Sequence, residues 1–143
     1  MINFFIKRKP NSYNSNKGKK KIRYKEMLKE ALEQYYPTYN INDNKMYGIV
    51  YYFYKEDLDY DTDNISKPIW DSLVGELFED DKQIVYRIAG SSNLIEDDFS
   101  IIDISGLESD KALDLLDAID NENHILYIEC GDFNSSMLKF NIE

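Results

Sequence analysis

A chain of 143 residues with 43% hydrophobic and 14% aromatic side chains can build one packed core but is too short for two sizeable domains. A single cysteine, Cys130, excludes an intramolecular disulfide, and a single histidine, His124, argues against a Cys/His zinc centre, so a reducing, cytoplasmic setting is expected. The net charge of −10 hides an asymmetry: residues 1–30 hold ten Lys/Arg against two acids, and residues 31–143 hold seven against twenty-five. That is the pattern of a basic arm on an acidic body, and only the arm suits a polyanionic partner. The apolar opening gives way to Lys7, Arg8 and Lys9, too early for a membrane span, so no membrane partner is expected.

Residues 2–7 are rich in β-forming side chains and predict a first strand, ended by Lys9 and Pro10. The stretch 11–21 is polar, basic and punctuated by Asn, Ser and Gly, which predicts a mobile loop. Charge clustering alone leaves it either solvated or in contact with phosphates. Over residues 24–36, Met27, Leu28, Ala31, Leu32 and Tyr35 form one stripe of a helix that Pro37 stops. Residues 46–54 are apolar or aromatic on both alternating faces, as in a strand covered on both sides in mid-sheet. The tyrosines there read as packing rather than base stacking. Ile65, Ile69, Leu73 and Leu77 recur every four residues beside Trp70 and Val74, predicting a helix over 65–77 with Gly75 near its end.

Ile84, Tyr86 and Ile88 alternate in a strand that residues 90–93 break. Beyond it the pattern predicts a strand near 99–104, a helix near 109–120 with Ala112, Leu116 and Ile119 inward, and strands near 124–130 and 137–142. The expected fold class is α/β (α+β), a small mixed sheet with two or three helices and an acidic C-terminal β-α-β-β extension.

Asp57, Asp59, Asp61 and Asp63 occupy alternate positions between the aromatic strand and the next helix. In an extended segment this period places all four carboxylates on one face, where repulsion is costly unless a cation or water intervenes. An exposed acidic loop is the competing reading and needs no ion. An EF-hand loop is excluded by residue type: counting from Asp57, Thr62 stands where the turn needs Gly and Pro68 where a bidentate Glu belongs. Counting from Asp59 puts Asn64 and Trp70 there.

The acidic run continues with Asn64 and Lys67, then Asp71, Leu73 and Gly75, then Asp80, Asp81, Gln83 and Ile84. In residue types and spacing this resembles the RusA family of Holliday junction resolvases. That family's signature runs Asp-x-Asp-Asn, a Lys four residues after the second Asp, Asp-Ala-Leu, Gly, then Asp-Asp-x-Gln-Ile. The opening resembles the family more loosely, with a short strand, Lys9 and Pro10, a basic loop and a helix containing Tyr24. The resemblance implies a small homodimer that nicks opposed strands of a four-way DNA junction with Mg2+, for which Mn2+ can substitute. It assigns Asp61, Asp63 and Asp81 to the metal and to catalysis, with Lys67 as the catalytic lysine.

Elementary chemistry agrees with that assignment, since Mg2+ is a hard ion that prefers carboxylate oxygens and a lysine can stabilise charge on the scissile phosphate. The candidate DNA contacts are Lys7, Arg8, Lys9, Lys17, Lys19, Lys20, Lys21 and Arg23. Asn64 is a candidate helix cap, Asp71 a structural partner for Lys67 one turn away, and Asp80 a stand-in for Asp81.

The expected division is a nuclease core over 1–105, with its basic arm at 1–30, and an acidic extension over 106–143 packed on the same domain. Two features depart from the family's pattern. Pro68 follows Lys67 and disfavours a helical Lys67, and residues 91–143 carry two Lys against thirteen acids. They raise an alternative function: a catalytically inactive relative that serves as an interaction module, engaging a basic protein through its acidic surface.

Overall fold

The computed structural model describes residues 1–56 and 61–142, so Asp57 and Asp59 of the acidic run lie outside the described residues. The elements are β1 (Ile2–Ile6), α1 (Gly18–Tyr35), β2 (Met46–Tyr54), α2 (Thr62–Leu73), β3 (Ile84–Asn93), α3 (Ser109–Asn121) and β4 (His124–Asp132). The strands form one mixed sheet in the order β1-β4-β2-β3. β4 runs antiparallel to both neighbours, and β2 pairs parallel with β3 through the α2 crossover. The mixed α/β class expected from the pattern is the observed one. No helix among the described residues is long and apolar enough to cross a membrane.

The two faces of the sheet carry two apolar clusters. On one, Phe4, Val50, Leu126 and Ile128 pack against Leu28 and Leu32 of α1 and Ile65, Ile69, Trp70 and Leu73 of α2. On the other, Phe5, Phe53, Ile125 and Tyr127 pack against Leu115, Ala118 and Ile119 of α3. The aromatic strand β2 is thus packed on both faces, although Tyr51 stays 36% exposed. Alternation along each strand sends successive residues to opposite clusters: Val50 to the first, Phe53 to the second.

Several boundaries differ from the sequence pattern. α1 begins at Gly18 rather than near Tyr24, because lysines are good helix formers and carry the helix about a turn and a half beyond its apolar stripe. α2 spans 62–73, not 65–77. Gly75, at φ +82, reverses the chain, and the turn folds Leu77 back into the core at 2% exposure. β3 runs through residues 90–93 rather than breaking there, because its partner β2 pairs with it as far as Tyr54↔Asn93.

No strand forms at 99–104 or 137–142. Phe99–Ile101 is a 3-10 turn capped by Asp98, and Ser135–Met137 is another capped by Asn134, side chains that offer the backbone an alternative to a ladder. In α3 the inward residues are Lys111, Leu115, Ala118 and Ile119. Leu116 is 37% exposed, and Ala112 is only half-buried. The stripe is set by Lys111, whose ammonium reaches Asn3 Oδ1 and the Tyr36 hydroxyl at 2.6 Å, and lies 4.4 Å from the Tyr36 ring centroid. An apolar-stripe reading passes over a lysine at such a position.

Candidate active site

α2 carries the first half of the acidic motif. Asp61 is its N-cap residue by backbone, with φ −68 and ψ 143, but makes no capping hydrogen bond with its side chain. Its carbonyl accepts the Asn64 N–H at 3.0 Å. Asp63, exposed in the first turn, opposes the positive end of the helix. Asn64 is therefore not the cap. The helix starts at Thr62, three residues earlier than the pattern suggested, which places Asn64 inside the first turn. Asp63, Lys67 and Asp71 follow at four-residue intervals and so share one face of the helix.

The second half arrives through the turn after α2. Asp80 caps the short 3-10 turn Asp81–Gln83, accepting the Lys82 N–H at 3.0 Å. That bond holds the exposed Asp80 carboxyl below its ordinary pKa. Asp80 thus positions its neighbour. Gln83 completes the turn: its side-chain oxygen accepts from Glu79 N and Asp80 N at 2.9 and 3.0 Å. Its amide donates to the carbonyls of Asn42 and Asn44 at 2.8 and 3.0 Å. These four bonds fasten the acidic turn to the lead-in of β2.

The result is a charged quartet. Lys67 Nζ lies 3.3 Å from Asp71 Oδ1 and 3.6 Å from Asp81 Oδ2. Arg87 of β3 approaches the same Asp81 oxygen at 3.7 Å and donates to the Asp81 carbonyl at 2.6 Å. The hydrogen bond that Lys67 donates to the Asp71 carboxylate is the main reason the Lys67 pKa stands above its ordinary value, which keeps Lys67 a cation at neutral pH. Pro68 lies inside α2 without displacing Lys67 from the helix. Among the described residues, no three His, Cys, Asp or Glu side chains stand close enough together to hold a metal ion. The structure brings Lys67, Asp71 and Asp81 together, while Asp61, Asp63 and Asp81 do not form one three-carboxylate cluster in it.

Arg87 is the site residue that sequence reasoning passed over, while Gln83 was read as part of the motif but given no role. Arg87 had one signal, as the sole cation of a strand otherwise apolar or neutral.

The basic segment is not the mobile loop its composition suggests. Asn11 is buried at 1% exposure, and its amide donates to Asn16 Oδ1 at 3.0 Å. Ser12 and Ser15 bond through their hydroxyls at 2.8 Å, and the Tyr13 N–H reaches the Asn64 carbonyl of α2 at 2.8 Å. Arg8 belongs to this scaffold, with its guanidinium over the Tyr24 ring at 5.2 Å and bonded to Asn11 Oδ1 at 3.3 Å. Lys7, Lys9, Lys17, Lys19, Lys20, Lys21 and Arg23 are exposed. Lys19–Lys21 occupy the first turn of α1, which holds no acid, where the helix dipole disfavours cations and favours an anion.

The sequence profile of Endodeoxyribonuclease RusA matches residues 5–102, which includes the basic loop, α2, the Asp81 turn and β3. The chain belongs to the RusA family. Membership places it among endodeoxyribonucleases of the Holliday junction resolvase type, hydrolases of phosphodiester bonds that act on branched DNA and generally depend on a divalent metal. Comparison with curated proteins gives no match. In this RusA-family chain the profile ends before α3 and β4, yet β4 lies between β1 and β2 in the sheet.

Proposed function

We propose that the protein is a Mg2+-dependent endonuclease that resolves four-way DNA junctions by paired phosphodiester hydrolysis, working as a homodimer. What supports the reading is the meeting of the two motif halves, with Lys67 of α2 3.6 Å from Asp81. The basic segment is bonded to the same helix through the Tyr13 N–H and the Asn64 carbonyl, at the end of α2 that carries Asp61 and Asp63. Two symmetric cuts call for two sites related by a two-fold axis, hence the dimer. Residues 1–105 carry the proposed nuclease side chains, and the acidic segment 106–143 supplies β4, which lies between β1 and β2 and so belongs to the same domain. A cytoplasmic location suits a protein acting on DNA.

Asp61, Asp63 and Asp81 are the residues that would hold the metal. Their donor chemistry fits: all are carboxylate oxygens, suited to Mg2+ or Mn2+. In the described conformation Asp81 is turned to Lys67 and Arg87, so its carboxylate would have to exchange these partners to join Asp61 and Asp63. Once bound, the ion would supply Lewis acidity at the scissile phosphate and an acidified water. Lys67, kept charged by Asp71, stabilises the negative charge that grows on the phosphate oxygens. Gln83 and the Asp80 cap hold the Asp81 turn in place, and Arg87 steadies it from the strand side.

A catalytically inactive interaction module that engages a basic protein through its own acidic surface is the second reading. The bond that ties the basic segment to α2 favours the first. Replacing Lys19, Lys20, Lys21 and Arg23 together by Gln should weaken junction binding and flatten its salt dependence, since each phosphate contact contributes a log–log slope of about −0.9. The check is a fluorescence-anisotropy titration of a four-way junction at several salt concentrations. An unchanged slope would assign these residues to a solvated surface and count against the reading.

A further inference from the structure

Pro68 sits in the interior of α2 and is buried. It has no N–H, so the carbonyl four residues earlier, that of Asn64, lacks its usual helical donor. An interior proline ordinarily kinks or breaks a helix, yet α2 continues to Leu73. The Asn64 carbonyl instead accepts the Tyr13 backbone N–H at 2.8 Å. Side-chain hydroxyls serve neighbouring carbonyls of the same helix: Ser66 Oγ donates to the Asp63 carbonyl at 3.3 Å and Ser72 Oγ to that of Pro68 at 2.7 Å. The Tyr13 side chain is 51% exposed, so burial of its ring does not hold the loop at this point.

We infer that Pro68 is a positioning residue. By withholding an N–H it reserves the Asn64 carbonyl for the loop, and so fixes the basic segment against the end of α2 that bears Asp61 and Asp63. The anchor follows from the geometry alone; its consequence for DNA rests on the nuclease reading above. An alanine at 68 would carry an N–H aligned with the helix axis, in direct competition with Tyr13 for one acceptor. The loop would then sample positions in which its lysines no longer meet the phosphates flanking the acids. Substrate should bind less well, while chemistry on bound substrate should change little, because Lys67, Asp71 and Asp81 keep their contacts.

The test compares Pro68→Ala, Tyr13→Pro and the double variant by hydrogen exchange and by steady-state cleavage of a four-way junction. Tyr13→Pro removes the same hydrogen bond from the loop side and leaves α2 intact, so it stands in should Pro68→Ala fold poorly. Amides in residues 11–17 should exchange about tenfold faster in Pro68→Ala than in wild type. KM should rise about fivefold with kcat within about twofold, and the double variant should be no worse than the poorer single one, as for two ends of one interaction. Unchanged exchange in this peptide would overturn the anchor. Faster exchange with KM and kcat both unchanged, or additive effects in the double variant, would overturn the positioning role. A wild type that neither binds nor cuts junctions would count against the nuclease reading, while the exchange result would still decide the anchor.

Discussion

Asp63→Asn and Asp81→Asn should each lower junction cleavage by two or more orders of magnitude, a loss on the order of 3 kcal/mol or more in transition-state stabilisation, while junction binding survives. Each change is nearly isosteric and removes one negative charge and one strong oxygen ligand. Asp63 is exposed on the first turn of α2, so packing is not at stake. Asp81 sits between Lys67 and Arg87. Its loss leaves Lys67 paired with Asp71 at 3.3 Å, so that cation stays held. Fewer acids beside the basic loop mean less repulsion of phosphates, and affinity should hold or rise. Asp57→Asn and Asp59→Asn, outside the family motif, should leave cleavage within a few fold. Gel-based cleavage at matched Mg2+ alongside anisotropy checks both halves. Equal cleavage by wild type and Asp63→Asn would remove Asp63 from the site.

A second large effect belongs to the fold beneath that site. Gly48 of β2 faces Trp70 of α2, and a Cβ at this position would lie 2.6 Å from Trp70 Cζ2, 2.8 Å from Cη2 and 3.0 Å from Ile84 Cγ2. Trp70 is fully buried and packs beside Phe78 at 6.5 Å between ring centroids, so the indole has little room to retreat. Gly48→Ala should destabilise by about 3 kcal/mol, at the upper end for overpacking, and lower Tm by about 2–4 °C for each of these. Trp70 stands three residues beyond Lys67, so any shift of α2 that relieves the clash also moves the Lys67–Asp81 contact. In a Trp70→Phe background, where the clashing ring is gone, the same substitution should cost far less. Urea unfolding of the four variants measures the coupling, and strictly additive costs would show that the close approach is not the cause.

What the sequence revealed and what it concealed divide along physical lines. The four sheet strands and three helices were legible in outline, from β-rich or aromatic composition in β1 and β2, alternation in β3 and apolar stripes in the helices, whereas Asp61, Asp63, Lys67 and Asp81 were singled out by the resemblance to the family motif. Leu138, Phe140 and Ile142 also alternate, yet they stand 54%, 98% and 86% exposed, because a strand needs a partner as well as a pattern. The inward face of α3 was misread by one residue because a buried lysine, satisfied by Asn3 and Tyr36, lies where an apolar residue was sought.

The order of the basic loop was concealed for a different reason. Its key bond joins residues 13 and 64, and its donor and acceptor are main-chain groups that every sequence has. Arg87 reaches Asp81 through its own strand's packing rather than through a motif, so no spacing announced it.

The most direct test is to incubate the purified protein with an end-labelled four-way junction and a matched linear duplex, with and without Mg2+. The proposed function predicts paired, symmetric nicks in the junction only, appearing with Mg2+ or Mn2+ and lost on chelation. A protein that leaves the junction intact in both metals, or that cuts linear duplex equally well, would contradict it.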